Sequence, residues 1–231
     1  MSVVKKLNES ILFLFIPILL FCFFEKLAHG EQNLDYPPIP RIVLKEDTWW
    51  RKEKAQKRLE SNKEALVSVV NEKASQKDLL NKNKEPNLLR LSGAIFVNQN
   101  IHIAFKKLTE FNNLKLVSEY IVESTYNPIR KEIYFHFSAL GFHARLLMDV
   151  KEIIHINGKK LLIFYIKVGT LKGLSGLIEL KELSPNLCEL SLVSTYYYKD
   201  LPVPSVFVQF GFEIVLKEIA KKLKIMIEAK N

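Results

Sequence analysis

Few side chains in this chain are of the types that do chemistry, and fewer are spaced to do it together. His136 and His143 flank a predicted turn between two strands, so they would be neighbours on adjacent strands. Two imidazoles could hold a metal ion or act as an acid–base pair, but no third ligand follows at a recognisable spacing. Partly exposed sheet-surface histidines are the simpler reading. Cys188 sits in "LCELSLVSTYYY" on an apolar strand face, where a cysteine is a small core residue rather than a nucleophile. The remaining cluster is aromatic: Tyr196, Tyr197 and Tyr198 end that strand, and Tyr120 and Tyr126 come earlier. Turnover at a carbonyl or phosphoryl centre needs a positioned base and charge stabilisation. No such set accompanies the phenols, so no catalytic residue, metal ligand or cofactor is assigned, and the balance falls against an enzyme.

The elements that would position these groups follow from length and pattern. The chain has 231 residues, 48% of them hydrophobic, enough for one domain with a core plus an extension. Its formal charge is +9, but basic and acidic residues are interspersed and no block of five or six like charges occurs. That pattern describes a basic surface and argues against nucleic acid as a partner. Lys5 and Lys6 precede a 14-residue apolar run, Ile11 to Phe24, and Ala28-His29-Gly30 supplies small residues at a cleavage position. This is the form of a secretory signal peptide, cut after Gly30, and the run is shorter than the roughly 20 residues that span a bilayer. An exported protein, periplasmic or secreted, is expected; a retained anchor is the lesser reading. Cys22 leaves with that segment, so a single cysteine remains and no internal disulfide can form.

Three divisions are expected: 1–30 the signal peptide, 31–62 a proline-rich arm and charged helix, and 63–231 the main domain. Three prolines within four positions, Pro37 to Pro40, fix the arm in an extended form. "TWWRKEKAQKRLES" reads as a helix capped by Asp47 or Thr48. Trp49, Trp50 and Leu59 would pack it onto the main domain, with a carbohydrate, membrane or partner contact as the sharper alternative. "ALVSVVNE" and "LLRLSGAIFVNQ" are strand-like, and Asn98 or Asn100 caps a helix carrying Ile101, Phe105 and Leu108. "LKLVSE" adds a short helical or irregular piece. Six strands then follow in series, joined by turns that include Asn127-Pro128, Asn157-Gly158 and Ser184-Pro185-Asn186, which pairs them antiparallel. A last helix from about Pro204 to Lys230 carries Val208, Phe212, Val215, Ile219, Leu223, Met226 and Ile227 on one stripe. So long a stripe has to lie across a sheet.

This order of elements resembles the START-like (SRPBCC) superfamily of lipid-transfer START domains, polyketide cyclases and birch-pollen-type allergens. "GAIFVNQNIHIAFKKLTEFNNL", "GLSGLIELKELSPNLCELSLVSTYYY" and "LPVPSVFVQFGFEIVLKEIAKKLKIMIEAK" carry the resemblance, which covers roughly residues 60 to 230. It implies an α+β helix-grip fold, a curved antiparallel β-sheet wrapped around a long C-terminal α-helix, with an apolar cavity between them. Strand alternation supplies a lining independently. Phe135 and Phe137, then Phe142, Leu146 and Met148, share faces with Phe164, Ile166, Ile178, Leu190 and Leu192. Tyr196 and Tyr198 continue that face, and Val208 and Phe212 meet it from the helix. His136, His143 and Arg145 fall on the opposite, convex side. Such a lining suits a hydrophobic small molecule or lipid, bound without being transformed and with transient membrane contact. Two other readings stand beside it: a cyclase or aromatase-like enzyme, and an interaction or scaffold protein whose interior is filled by its own side chains.

Overall fold

The computed structural model describes residues 48–62, 64–73, 87–139, 142–155, 159–169, 171–198 and 205–229. The expected signal peptide, proline-rich arm and Asn157-Gly158 turn lie outside them. Eight strands form one antiparallel sheet: β1 (Leu66–Lys73), β2 (Asn87–Val97), β3 (Ile121–Asn127), β4 (Glu132–Ala139), β5 (Phe142–His155), β6 (Lys159–Gly169), β7 (Ser175–Ser184) and β8 (Leu187–Tyr198). Their order across the sheet is β1-β2-β8-β7-β6-β5-β4-β3, and the sheet is not closed. Among the described residues three α-helices accompany it, α1 (Glu53–Asn62), α2 (Ile101–Thr109) and α3 (Ser205–Glu228), with a 3-10 helix over Phe111–Leu116. This is the expected helix-grip architecture.

Alternation assigns each strand two faces, and the register keeps them consistent. Gly93 pairs with Leu192, Ile178 with Leu192, Leu162 with Ile178, and Val150 with Phe164. These residues line the concave face, whose core divides in two. One half is sealed by α2 and the C-terminal part of α3: Ile101, Ala104, Phe105 and Leu108 pack with Leu180, Leu190, Cys188 and Ile227. Asn100 caps α2, its side chain accepting from the His102 amide at 2.9 Å, so the asparagine signal in the sequence is used as expected. The other half gathers the aromatic residues of β4, β6 and β8, with Phe212 and Leu216 of α3 against them.

Two helical expectations change. The "TWWRKEKAQKRLES" segment is not one helix. A 3-10 turn over Trp49–Arg51 ends at Lys52, whose ψ of 145° is extended, and α1 starts afresh at Glu53. Thr48 makes no side-chain cap. The break lets both indoles turn toward the sheet while α1 runs along it. On α3, the side chains that join the core are Phe212, Leu216, Ala220, Leu223, Met226 and Ile227. Val215 and Ile219 belong to neither cluster and stay half-buried. The reason lies in where α3 sits. It packs on the edge pair β1 and β2 and on α2 rather than across mid-sheet, so two supports rather than one flat surface select its buried residues.

The convex face is covered as well. Trp50 (2% exposed) and Leu59 (1%) pack with Leu66, Ala94, Phe96, Leu161, Leu177 and Val193. Trp49 donates from Nε1 to the Ser92 hydroxyl at 3.0 Å. Buried under Trp50, the Glu189 carboxylate accepts from Trp50 Nε1 at 3.2 Å and from Arg51 at 2.9 and 2.7 Å. Arg51 also bonds Glu179, which Lys159 approaches at 3.3 Å. An ionised carboxylate taken out of water needs such compensation. The tryptophans therefore seal the sheet, and Trp50 is not offered to carbohydrate, membrane or partner.

Candidate functional site

The groups singled out from the sequence separate cleanly by face. Phe135, Phe137, Leu146, Met148, Phe164, Ile166, Ile178, Leu192, Tyr196, Tyr198 and Phe212 all join the aromatic half of the concave core. Leu190 falls instead in the half sealed by α2. Phe142 lies on β5 and Val208 on α3, but their side chains lie outside what the structure describes. Alternation missed several partners of this set, among them Leu89, Leu91, Phe111 and Leu174. Leu89 and Leu91 were hidden because their neighbour Leu88, on the convex side, is also fully buried at 1% exposure. A strand covered on both faces shows no polar alternation.

The two halves of the concave face differ in how well they are filled. In the sealed half Leu180 is 0% and Leu190 6% exposed. In the aromatic half their next neighbours on the same strands, Ile178 and Leu192, are only half-buried. This is unusual for their position. Ile178 and Leu192 pair across β7 and β8, and further strands flank both. Phe137, Met148, Phe212 and Leu216 are half-buried too. An apolar side chain in mid-sheet stays accessible where the layer beside it does not cover it fully, and α3 packs on β1, β2 and α2 instead. These partly accessible apolar side chains gather on one part of the concave face, together with Phe212 and Leu216 of α3. Gly176 permits the close approach of Phe164 on the neighbouring strand, since a Cβ there would stand 2.5 Å from its ring.

Among the described residues few polar groups lie near the concave face. Tyr198 donates its hydroxyl to Asn71 Oδ1 at 2.6 Å, bridging β8 to the edge strand β1. Burial pushes its phenol pKa up, partly offset by that hydrogen bond. Tyr196 stacks on Tyr198 with centroids 5.9 Å apart. Tyr126 is remote from these rings. It lies on the opposite edge strand, β3, against Phe111 at 4.7 Å, and burial followed by the charge of Glu152 raises its pKa. On the concave register of β6, Lys160 places its ammonium 5.0 Å from the Phe105 ring. The Cys188 thiol donates to the Gln99 carbonyl at 3.1 Å, and burial, then Glu182, pushes its pKa up to about 11. A thiol held in that form is a poor nucleophile.

His136 and His143 both lie on the convex side, opposite Phe135, Phe137 and Ala144. They touch there, as the sequence suggested, with His136 Nε2 3.0 Å from His143 Nδ1. Among the described residues no group of three or more His, Cys, Asp or Glu is arranged to hold a metal ion, and no helix is long and apolar enough to cross a membrane. Two hollows lined by described residues lie outside the concave core. One of about 390 Å³ runs between Leu116 and Lys107 and the α3 residues Lys222, Ile225 and Met226. The other, about 420 Å³, lies between α1 and the ends of β2, β7 and β8, beside Leu59, Phe96 and Leu187.

No family model matches the sequence, and no curated protein matches it. Solved structures match its fold. A START superfamily protein from Mycobacterium smegmatis superposes with a TM-score of 0.50 at 14% identity, covering 60% of this chain and 97% of that one. The STAR-related lipid transfer protein from Xanthomonas axonopodis gives a TM-score of 0.50 at 10% identity, covering 69% and 99%. Identities this low speak for the fold alone, and the fold is START-like.

Proposed function

We propose that this START-like chain binds a hydrophobic small molecule or lipid, without transforming it, between the concave face and the N-terminal half of α3. One observation carries the reading: Ile178 and Leu192 stand half-buried in mid-sheet while Leu180 and Leu190 beside them are sealed. Apolar side chains left accessible under a helix are satisfied by an apolar guest, which gains about 0.8 kcal/mol per methylene buried. Tyr196, Tyr198 and Asn71 form the polar rim, suited to the one polar end of such a guest. A START-like fold shared with a STAR-related lipid transfer protein supports the same reading, and transfer between membranes is its natural extension. The apolar run and small residues before Glu31 support export, so the protein would meet its guest outside the cytoplasm.

Native mass spectrometry and lipid extraction of protein purified from its own compartment test both parts. A bound apolar species that is lost in Leu192→Phe, on a chain beginning at Glu31, is the expected result. Protein recovered consistently empty, with probe lipids binding wild type and Leu192→Phe alike, overturns the binding site. A chain that retains residues 1–30 and stays in the cytoplasm overturns export.

A further inference from the structure

The convex surface of the β4–β5 hairpin carries a feature that hydrophobic binding does not use. The two strands pair His136 with Arg145 and Ser138 with His143, which makes the histidines diagonal neighbours. Their ring centroids are 5.2 Å apart with planes at 41°, and the facing nitrogens are 3.0 Å apart. His136 is half-buried and His143 exposed, and neither ring has a further hydrogen-bond partner among the described residues. α1 packs elsewhere on this face, against β2 and the cluster of β6, β7 and β8.

We propose that His136 and His143 form a two-imidazole site for a borderline divalent transition-metal ion, with Cu2+ the best fit. Two nitrogens bound at about 2.0–2.1 Å to one ion, at angles between square-planar and tetrahedral, lie about 2.9–3.4 Å apart. The observed 3.0 Å falls inside that interval. The backbone is therefore already placed, and rotation of both rings about their side-chain bonds brings the lone pairs onto a common point. The ring that donates the present hydrogen bond moves its proton to its other nitrogen, so no net proton is lost. Around the pair, Glu123 stands across from His136 on β3 and Arg145 across from it on β5. Both are exposed, and their charges oppose each other at the site. Affinity then rests on imidazole ligation rather than on net charge, which favours Cu2+ over Zn2+ and excludes the oxygen-seeking Mg2+ and Ca2+. Two protein ligands leave the other coordination positions to water, which makes the ion exchangeable.

The test is titration of purified, tag-free protein with Cu2+, followed by electron paramagnetic resonance. One ion per chain with two imidazole nitrogens in its coordination shell is expected. His136→Ala and His143→Ala should each weaken binding on the order of tenfold or more and leave one nitrogen. His102→Ala, on the surface of α2, should change neither reading. Because His143 is exposed, His143→Gln is a second variant that preserves the strand and should show the same loss. Undiminished binding with two nitrogens in the double variant His136→Ala/His143→Ala overturns the proposal, as does wild type that takes up no ion at micromolar Cu2+.

Discussion

Replacing Arg51 with alanine tests whether the N-terminal segment belongs to the cooperative fold. Glu189 is 1% exposed, and the change removes its two arginine hydrogen bonds at 2.9 and 2.7 Å, leaving among the described residues Trp50 Nε1 at 3.2 Å. Stripping one partner from a fully buried ion pair costs about 3–5 kcal/mol. The Arg51 side chain keeps 26% exposure against 2% for Glu189, so water screens part of the interaction and about 2–3 kcal/mol is the appropriate expectation. For a domain of this size that corresponds to roughly 5–10 °C in Tm. The assay is built into the sequence, because the chain's two tryptophans, Trp49 and Trp50, both sit at this contact. Their fluorescence follows the clamp while far-UV circular dichroism follows the sheet. The two urea transitions should coincide in wild type and shift together in Arg51→Ala. The double variant Arg51→Ala/Glu189→Leu should lose less than Arg51→Ala alone, since removing both partners spares the unpaired charge. A cost below about 0.5 kcal/mol, which is the range of an ordinary surface change, would falsify the argument. So would a fluorescence transition that precedes the sheet's.

Leu192→Phe should reduce retention of a bound apolar probe about tenfold or more while costing less than about 1.5 kcal/mol of stability, because a void accepts added volume that a packed core does not. Equal losses of stability and binding would mean the site was already filled. Tyr198→Phe removes the 2.6 Å bond to Asn71 and should cost about 1 kcal/mol in denaturant melts; an unchanged midpoint would mean the phenol does not tie β8 to β1. Cys188 should resist thiol reagents at pH 8 in the native protein and react fully in denaturant, since its folded pKa is pushed up to about 11. Folding holds that proton more tightly than the unfolded chain does, so this contribution is intact below about pH 8.5 and is lost as pH rises toward the folded value. Rapid labelling of native protein at pH 8 would contradict the burial.

The architecture was legible where each face of a strand met a different environment. On β4 and on the first half of β5, apolar and polar residues alternate because one face meets the core and the other meets water, so the positions of His136 and Phe135 could be read directly. On β2 that signal fails, because Ala94 and Phe96 are buried under Trp50 and Leu59 as firmly as Ile95 and Val97 are beneath α2 and α3. The α3 stripe was read by periodicity, which finds an apolar face but not the direction of its supports. Val215 and Ile219 fit the pattern, yet the edge strands and α2 take Leu216 and Ala220 instead. The Glu189–Arg51–Trp50 contact spans up to 139 residues of sequence, and no local pattern announces a pairing at that distance. The half-burial of Ile178 and Leu192 was equally hidden, because alternation marks which side chains point inward and not how completely they are covered.

The sheet order has a consequence for how the chain acquires its shape. β2 gains its central neighbour only when β8 arrives, pairing Leu88 with Tyr197 and Val97 with Cys188. Both the concave core and the clamp over Glu189 wait for that strand. Contacts between such distant segments close late, after the entropy of a long loop has been met. A polypeptide emerging from the ribosome therefore remains uncommitted until nearly all of it exists. If the chain is exported, as proposed above, that delay would keep it threadable while it crosses the membrane.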